Sequence, residues 1–128
     1  MAWRYSKHYT RDEARALLPQ IREWLEQLAQ GRQQLSQAEQ HMLQPLSDGY
    51  DLGGTVVNQW ASTLADIKDI LNEFQQRQIE IKDLDRGLID FPAFVGGKEV
   101  FLCWEKDEED IEYWHDLTSG YAGRERID

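Results

Sequence analysis

Two stretches of this chain place an apolar residue at every seventh position, and that periodicity constrains the fold more than any other feature. Ala14, Ile21, Leu28, Leu35 and Met42 form the first series, with Leu17 or Leu18, Trp24 or Leu25, and Ala38 on the alternate rung. Val57, Leu64 and Leu71 form the second, widened by Trp60, Ala61, Ile67 and Phe74. Such spacing holds the apolar side chains on one face of a helix, while the Gln, Arg and Glu between them suit a solvated face. An amphipathic helix cannot bury its stripe alone, so the pattern predicts two helices packed on each other or on a third partner.

The helix ends are marked locally. Tyr9-Thr10-Arg11-Asp12-Glu13 is a helix start: Thr10 is the N-cap and Glu13, three residues on, completes a capping box. Asp12 and Glu13 also suit the positive end of the helix dipole. The first pattern runs to about residue 44 and stops before Pro45. Pro19 removes one backbone donor and crowds the carbonyl of Arg15, which predicts a kink inside a continuing helix. Gly31 stands where a larger rung residue is expected; close approach of another helix and a soft spot are both open readings. Residues 45–54 carry Asp48-Gly49 and Gly53-Gly54 as turn signals, and the second helix follows over residues 55–78. A short loop makes the pair antiparallel. At 1.5 Å per residue the first helix is roughly 50 Å long and the second roughly 36 Å. The first therefore overhangs at its N-terminal end, and Leu17 and Leu18 need cover from the rest of the chain, with Trp104 or Trp114 expected among their contacts.

The last third reads as a small β module. Ile79-Glu80-Ile81-Lys82 alternates apolar and polar as a half-buried strand does. Two apolar runs flank Gly96-Gly97, a hairpin signal. Pro92 points to an edge or a bulge. Ile111-Glu112-Tyr113-Trp114-His115 supplies a further strand, and the tail from Thr118 is read as irregular. The expected class is α+β: a single domain over residues 1–128, with an antiparallel two-helix hairpin at 10–78. A three- or four-stranded antiparallel sheet and the tail, residues 79–128, lie at the hairpin's open end.

Charge and composition narrow the function classes. The chain has 24 acidic and 14 basic residues, a formal charge of −10. Binders of duplex nucleic acid draw most of their affinity from Lys and Arg on phosphates, so no nucleic-acid partner is expected. The same charge opposes an anionic membrane surface. The single cysteine, Cys103, excludes an intrachain disulfide, the N-terminus lacks a signal-peptide core, and no apolar run is long enough to span a membrane. A cytoplasmic location is expected.

Several words of the sequence resemble a known family. Tyr9-Thr10-Arg11-Asp12-Glu13-Ala14 with Leu17-Leu18-Pro19, Gly87-Leu88-Ile89-Asp90-Phe91-Pro92-Ala93, Val100-Phe101-Leu102-Cys103-Trp104, Trp114-His115-Asp116 and Gly120-Tyr121-Ala122-Gly123-Arg124 resemble the bacterial DUF2203 family, a domain of unknown function. Some of its members carry a label likening them to the coiled-coil protein DivIVA. The resemblance covers nearly the whole chain and implies no activity, so whether the chain is an enzyme stays open.

Residues able to carry chemistry gather in the β module: Asp83, Asp85, Asp90, Cys103, Glu105, His115, Asp116 and Arg124. Cys103 and His115 with a carboxylate are possible metal ligands, although no CxxC, HExxH or histidine pair supports them. A cysteine between Leu102 and Trp104 is more simply a small buried hydrophobe, and burial would leave it inert as a nucleophile. His115, Asp116 and Arg124 could form a polar pocket for a small anion; the plainer reading has His115 hydrogen-bonded and ordering the tail. Asp90 could join a ligand site or bond the backbone of a turn. The six carboxylates of residues 105–112 lack the spacing of a calcium loop and read as a solvated acidic turn. No cofactor is expected. The leading functional expectation is a non-enzymatic scaffold, homodimeric through the helix stripes. The rival is a small-ligand or metal site built from Asp90, Cys103, His115, Asp116 and Arg124.

Overall fold

The computed structural model describes residues 2–42 and 54–127. Helix α1 (Arg11–Met42) and helix α2 (Thr55–Gln76) precede five strands: β1 (Glu80–Asp83), β2 (Leu88–Val95), β3 (Lys98–Glu105), β4 (Tyr113–Asp116) and β5 (Glu125–Arg126). A 3₁₀ turn, Tyr121–Gly123, separates the last two. The α+β class is as the sequence predicts. The chain divides into two compact units: residues 24–72, and residues 1–23 with 73–128.

The first unit is a pair of helices. Thr63 donates from Oγ1 to Gln34 Oε1 at 3.4 Å, and Gly31 faces Ile67 and Thr63. Partner numbers fall along α2 as they rise along α1, so the helices run antiparallel. A Cβ on Gly31 would stand 2.9 Å from Ile67 Cγ1, so glycine here permits close helix approach. Trp24, Leu25 and Leu28 are buried. The α2 stripe is less covered: Val57, Trp60, Leu64, Ile67 and Ile70 are half-buried, and Leu71 is 41% exposed. The expected turn at Asp48-Gly49 lies outside the described residues.

The second unit is built on the sheet. The capping box forms as a reciprocal pair: Thr10 N donates to Glu13 Oε1 at 2.9 Å, and Glu13 N to Thr10 Oγ1 at 3.1 Å. α1 continues through the exposed Pro19. Five strands pair antiparallel in chain order, one more than the sequence reading allowed. The extra strand is β5, which pairs Tyr113 with Arg126 and Trp114 with Glu125 inside the tail expected to be irregular. Gly96 and Gly97 join β2 to β3 with φ of 58° and 78°, the paired positive values that a type I′ hairpin turn requires. β2 outruns β1 after Asp90, and there the Pro92 carbonyl accepts from Tyr9 N at 2.7 Å. A strand residue's N and O point to the same side, so the missing N–H of Pro92 faces this open edge and costs no ladder bond.

Alternation divides the sheet into two faces. One carries Ile89, Phe91, Ala93, Val100, Leu102 and Trp104, all buried with Ala14, Leu18 and Ile21; Leu17 is half-buried. The Arg22 guanidinium lies 4.9 Å over the Trp104 ring, and the Tyr9 ring meets Phe91 edge-on at 5.7 Å. The acidic segment 105–112, expected to be solvated, leaves Asp107 and Glu109 exposed and also receives arginines of α1. Asp110 takes Arg15 at 2.8 and 3.0 Å, the carbonyls of Lys106 and Glu108 take Arg22, and the Ile111 carbonyl takes Arg11. Arg11, Arg15 and Arg22, spaced by four and seven, lie along one side of α1 and each reaches the same loop.

Candidate functional site

Leu88 through Ala93 and Glu99 through Trp104 are buried without a break. A strand covered on one face would alternate, so both faces are covered here. The second face carries Asp90 and Pro92 of β2, Glu99, Phe101 and Cys103 of β3, and Tyr113 and His115 of β4. The N-terminal segment crosses it. Tyr5 sets its ring edge-on to Phe101 at 5.5 Å and donates from its hydroxyl to Glu80 at 3.0 Å. The amides of Arg4 and Tyr5 donate to Glu99 at 2.9 and 3.0 Å, and His8 Nε2 lies 2.7 Å from the same carboxylate. Burial alone would raise the Glu99 carboxyl, but these bonds outweigh it and hold it below the ordinary carboxylate range.

Strand register assembles the central cluster. Asp90 stands directly opposite Cys103, and His115 stands opposite Phe101, one diagonal step away. Asp90, Cys103 and His115 are 1%, 0% and 2% exposed, and each offers one ligand-type atom within 4.8 Å of the others. His115 Nε2 lies 3.1 and 3.0 Å from the two Asp90 oxygens, and Nδ1 lies 2.7 Å from the Asp116 carbonyl. A carbonyl only accepts, so Nδ1 carries a hydrogen. Nε2 also faces acceptors, so a second proton is shared between the ring and Asp90. Burial pulls the imidazole pKa down, yet the bonds to Asp90 and to the Asp116 carbonyl outweigh it and leave it raised.

Cys103 is no nucleophile in this state. Burial, reinforced by the Asp90 charge, pushes its thiol up to about 12, against the opposing pull of the adjoining Arg124 guanidinium.

The remaining candidates are placed as follows. The Asp116 carboxylate accepts from the amides of Thr118 and Ser119 and from the Thr118 hydroxyl, capping the turn after β4. Consecutive strand residues point to opposite faces, so Asp116, paired with Val100, leaves β4 on the other side from His115, paired with Phe101. Arg124 pairs with Glu108 at 3.1 Å and lies 3.9 Å over Tyr113 and 4.1 Å over Tyr121. Asp90 sits inside β2 and bonds His115, where a turn-capping role was the plainer expectation. Asp83 accepts from the Arg86 amide, and Glu105 pairs with Arg86 at 2.7 Å. Asp85 is exposed.

A cavity of about 230 Å³ opens onto this face, lined by Lys82, Asp90, Phe101, His115, Thr118 and Tyr121 among others. Lys82, Phe101 and Tyr121 were not singled out in the sequence. Alternation along β3 already placed Phe101 and Glu99 on the face of Cys103 and offered a signal for both. Tyr121 had none, because only the folded tail brings it there.

An α+β unit with a buried ionisable cluster under a small cavity is the class of protein that fold and site define. The chain belongs to the DUF2203 family: the family described as uncharacterized conserved protein (DUF2203) matches residues 7–127. Comparison with curated proteins and with solved structures gave no significant match. Among the described residues, no helix is long and apolar enough to cross a membrane.

Proposed function

We propose that the chain binds a small ligand bearing an acidic group, in the cavity above Asp90 and His115. One observation carries this reading: a buried ion pair forms part of the wall of an open cavity. Ligand pockets set a small number of convergent polar groups among apolar walls, and Asp90 and His115 stand beside Leu88, Phe101 and Leu117 here. Lys82 supplies a cation among the lining residues, its ammonium 5.0 Å over the Phe101 ring. Asp90 and His115 lie on the cavity wall with Cys103 opposite Asp90 on the neighbouring strand, and Arg124 lies 4.1 Å over the ring of Tyr121, another lining residue. The net charge of −10 disfavours a nucleic-acid partner and leaves a small solute as the better candidate. Titration with inorganic phosphate and a panel of short carboxylates, followed by amide NMR, tests the reading. Saturable shifts at Leu88, Phe101, His115, Leu117 and Tyr121 are expected; no saturable shift with any member would overturn it.

A second reading concerns self-association, and the α2 stripe favours it. Val57, Trp60, Leu64 and Ile67 are half-buried, and the buried Trp60 Nε1 finds no acceptor among the described residues. A second copy packing stripe to stripe would cover these side chains in a four-helix arrangement. Light scattering coupled to size exclusion at low micromolar concentration is expected to report a dimer; a clean 15.0 kDa species would exclude it.

A further inference from the structure

We propose that Asp90, Cys103 and His115 hold a divalent transition-metal ion of the zinc class. The proposal deepens the ligand reading of the same cavity and rests on it for the role of the open position. Three features of the geometry carry it. The three residues lie on three adjacent strands, so paired backbone fixes their separation. Their ligand-type atoms all fall within 4.8 Å of one another. Bonds of about 2.0–2.3 Å to a tetrahedral ion place ligand atoms roughly 3.5 Å apart, within reach of small side-chain rotations. The Asp116 carbonyl fixes a hydrogen on His115 Nδ1 at 2.7 Å, and this aims Nε2 inward at Asp90. A metal-bound histidine is oriented the same way, by a carbonyl or carboxylate on its outer nitrogen.

The charges balance. Asp90 and a Cys103 thiolate offset the two charges of the ion, and Arg124 beside the sulfur stabilises the thiolate further. Binding releases two protons: the thiol proton and the one shared between His115 and Asp90. The S–H bond and the Nε2–H bond break, metal–sulfur and metal–nitrogen bonds form, and nothing is oxidised or reduced. The donor set of one nitrogen, one oxygen and one sulfur suits a borderline ion and not calcium or magnesium, which take oxygen ligands. Three protein ligands leave the fourth position of a tetrahedron to solvent or substrate. Asp90 and His115 line the cavity, so that position opens toward Lys82, Thr118 and Tyr121, where an acidic group could occupy it.

Cobalt(II) tests the site directly, because a thiolate ligand adds a near-ultraviolet charge-transfer band that nitrogen and oxygen ligands lack. The full chain, reduced and stripped with chelator, is titrated with cobalt(II) alone and then with zinc(II). The expected result is one equivalent bound, with the thiolate band, displaced by zinc. Cys103→Ser should remove the band, and His115→Ala should weaken binding by more than the roughly 10–100-fold that loss of an outer partner costs. If His115→Ala does not fold, His115→Gln replaces it, with folding followed by circular dichroism. A folded wild-type chain that takes up no stoichiometric cobalt overturns the proposal. So does cobalt binding without the thiolate band that persists in Cys103→Ser. Saturable anion shifts in the chelated protein would then leave the ligand reading standing without the metal.

Discussion

Removing one partner of the Asp90–His115 pair should be among the costliest single changes in this protein. Both side chains are at most 2% exposed, and two contacts of 3.0 and 3.1 Å join them. Asp90→Ala leaves the buried His115 ring with nothing opposite Nε2 to share its proton, and breaking a buried pair in this way costs about 3–5 kcal/mol. The ring can escape part of that cost by losing its extra proton, which places the expected loss at the lower end. His115→Ala strands the carboxylate instead, beside the Cys103 thiol, and should cost about as much. The double variant removes both charges, so its loss should fall short of the sum of the singles by about 1–3 kcal/mol. Urea denaturation of the chelated protein, followed by tryptophan fluorescence, gives all three values from one assay. Single losses below about 1 kcal/mol, or additivity within about 0.5 kcal/mol, would refute the claim that these two groups form a coupled buried pair.

Three further expectations test other parts of the structure. Thr10→Ala breaks one bond of the capping box and should cost about 1 kcal/mol in the same denaturation assay; an unchanged midpoint would contradict the cap. Glu99 has a carboxyl pKa lowered on folding, so its contribution is full above the ordinary carboxylate pKa and fades as pH falls through the lowered one. The stability gap between wild type and Glu99→Gln should therefore close on acidification, and a gap independent of pH would contradict the anchoring of Arg4, Tyr5 and His8. The Cys103 thiol, pushed up to about 12 and fully buried, should resist alkylation at pH 8 until the protein unfolds; modification of the native protein at a free-thiol rate would contradict its burial.

What could be read from the sequence follows from how locally each feature is encoded. The helices were legible because the period of seven, the capping box at Thr10 and the breakers around residue 45 are all short-range signals. The β2–β3 hairpin was legible from Gly96-Gly97 between apolar runs. β5 was not, because Glu125 and Arg126 are too few to show a period and are fixed only by their pairing with Trp114 and Tyr113. The acidic loop's solvated character was legible, but its pairing with Arg11 and Arg15 was not, because those partners lie 99 and 95 positions away. The candidate site shows the same division. Asp90, Cys103 and His115 could be named as chemistry-bearing residues, but their meeting depends on strand register across 25 positions. Asp116 follows His115 in sequence, and its capping bonds to Thr118 and Ser119 depend on the turn that forms after β4.

The central claim is that the second face of the sheet, with Asp90, Cys103 and His115 beneath its cavity, is a binding site. Native mass spectrometry of freshly purified, undialysed protein addresses it most directly. The account predicts a retained mass above the 15.0 kDa chain, of a metal ion, a small ligand or both, that disappears in Asp90→Asn. A bare chain mass that also gains nothing from added zinc, phosphate or short carboxylates would contradict it.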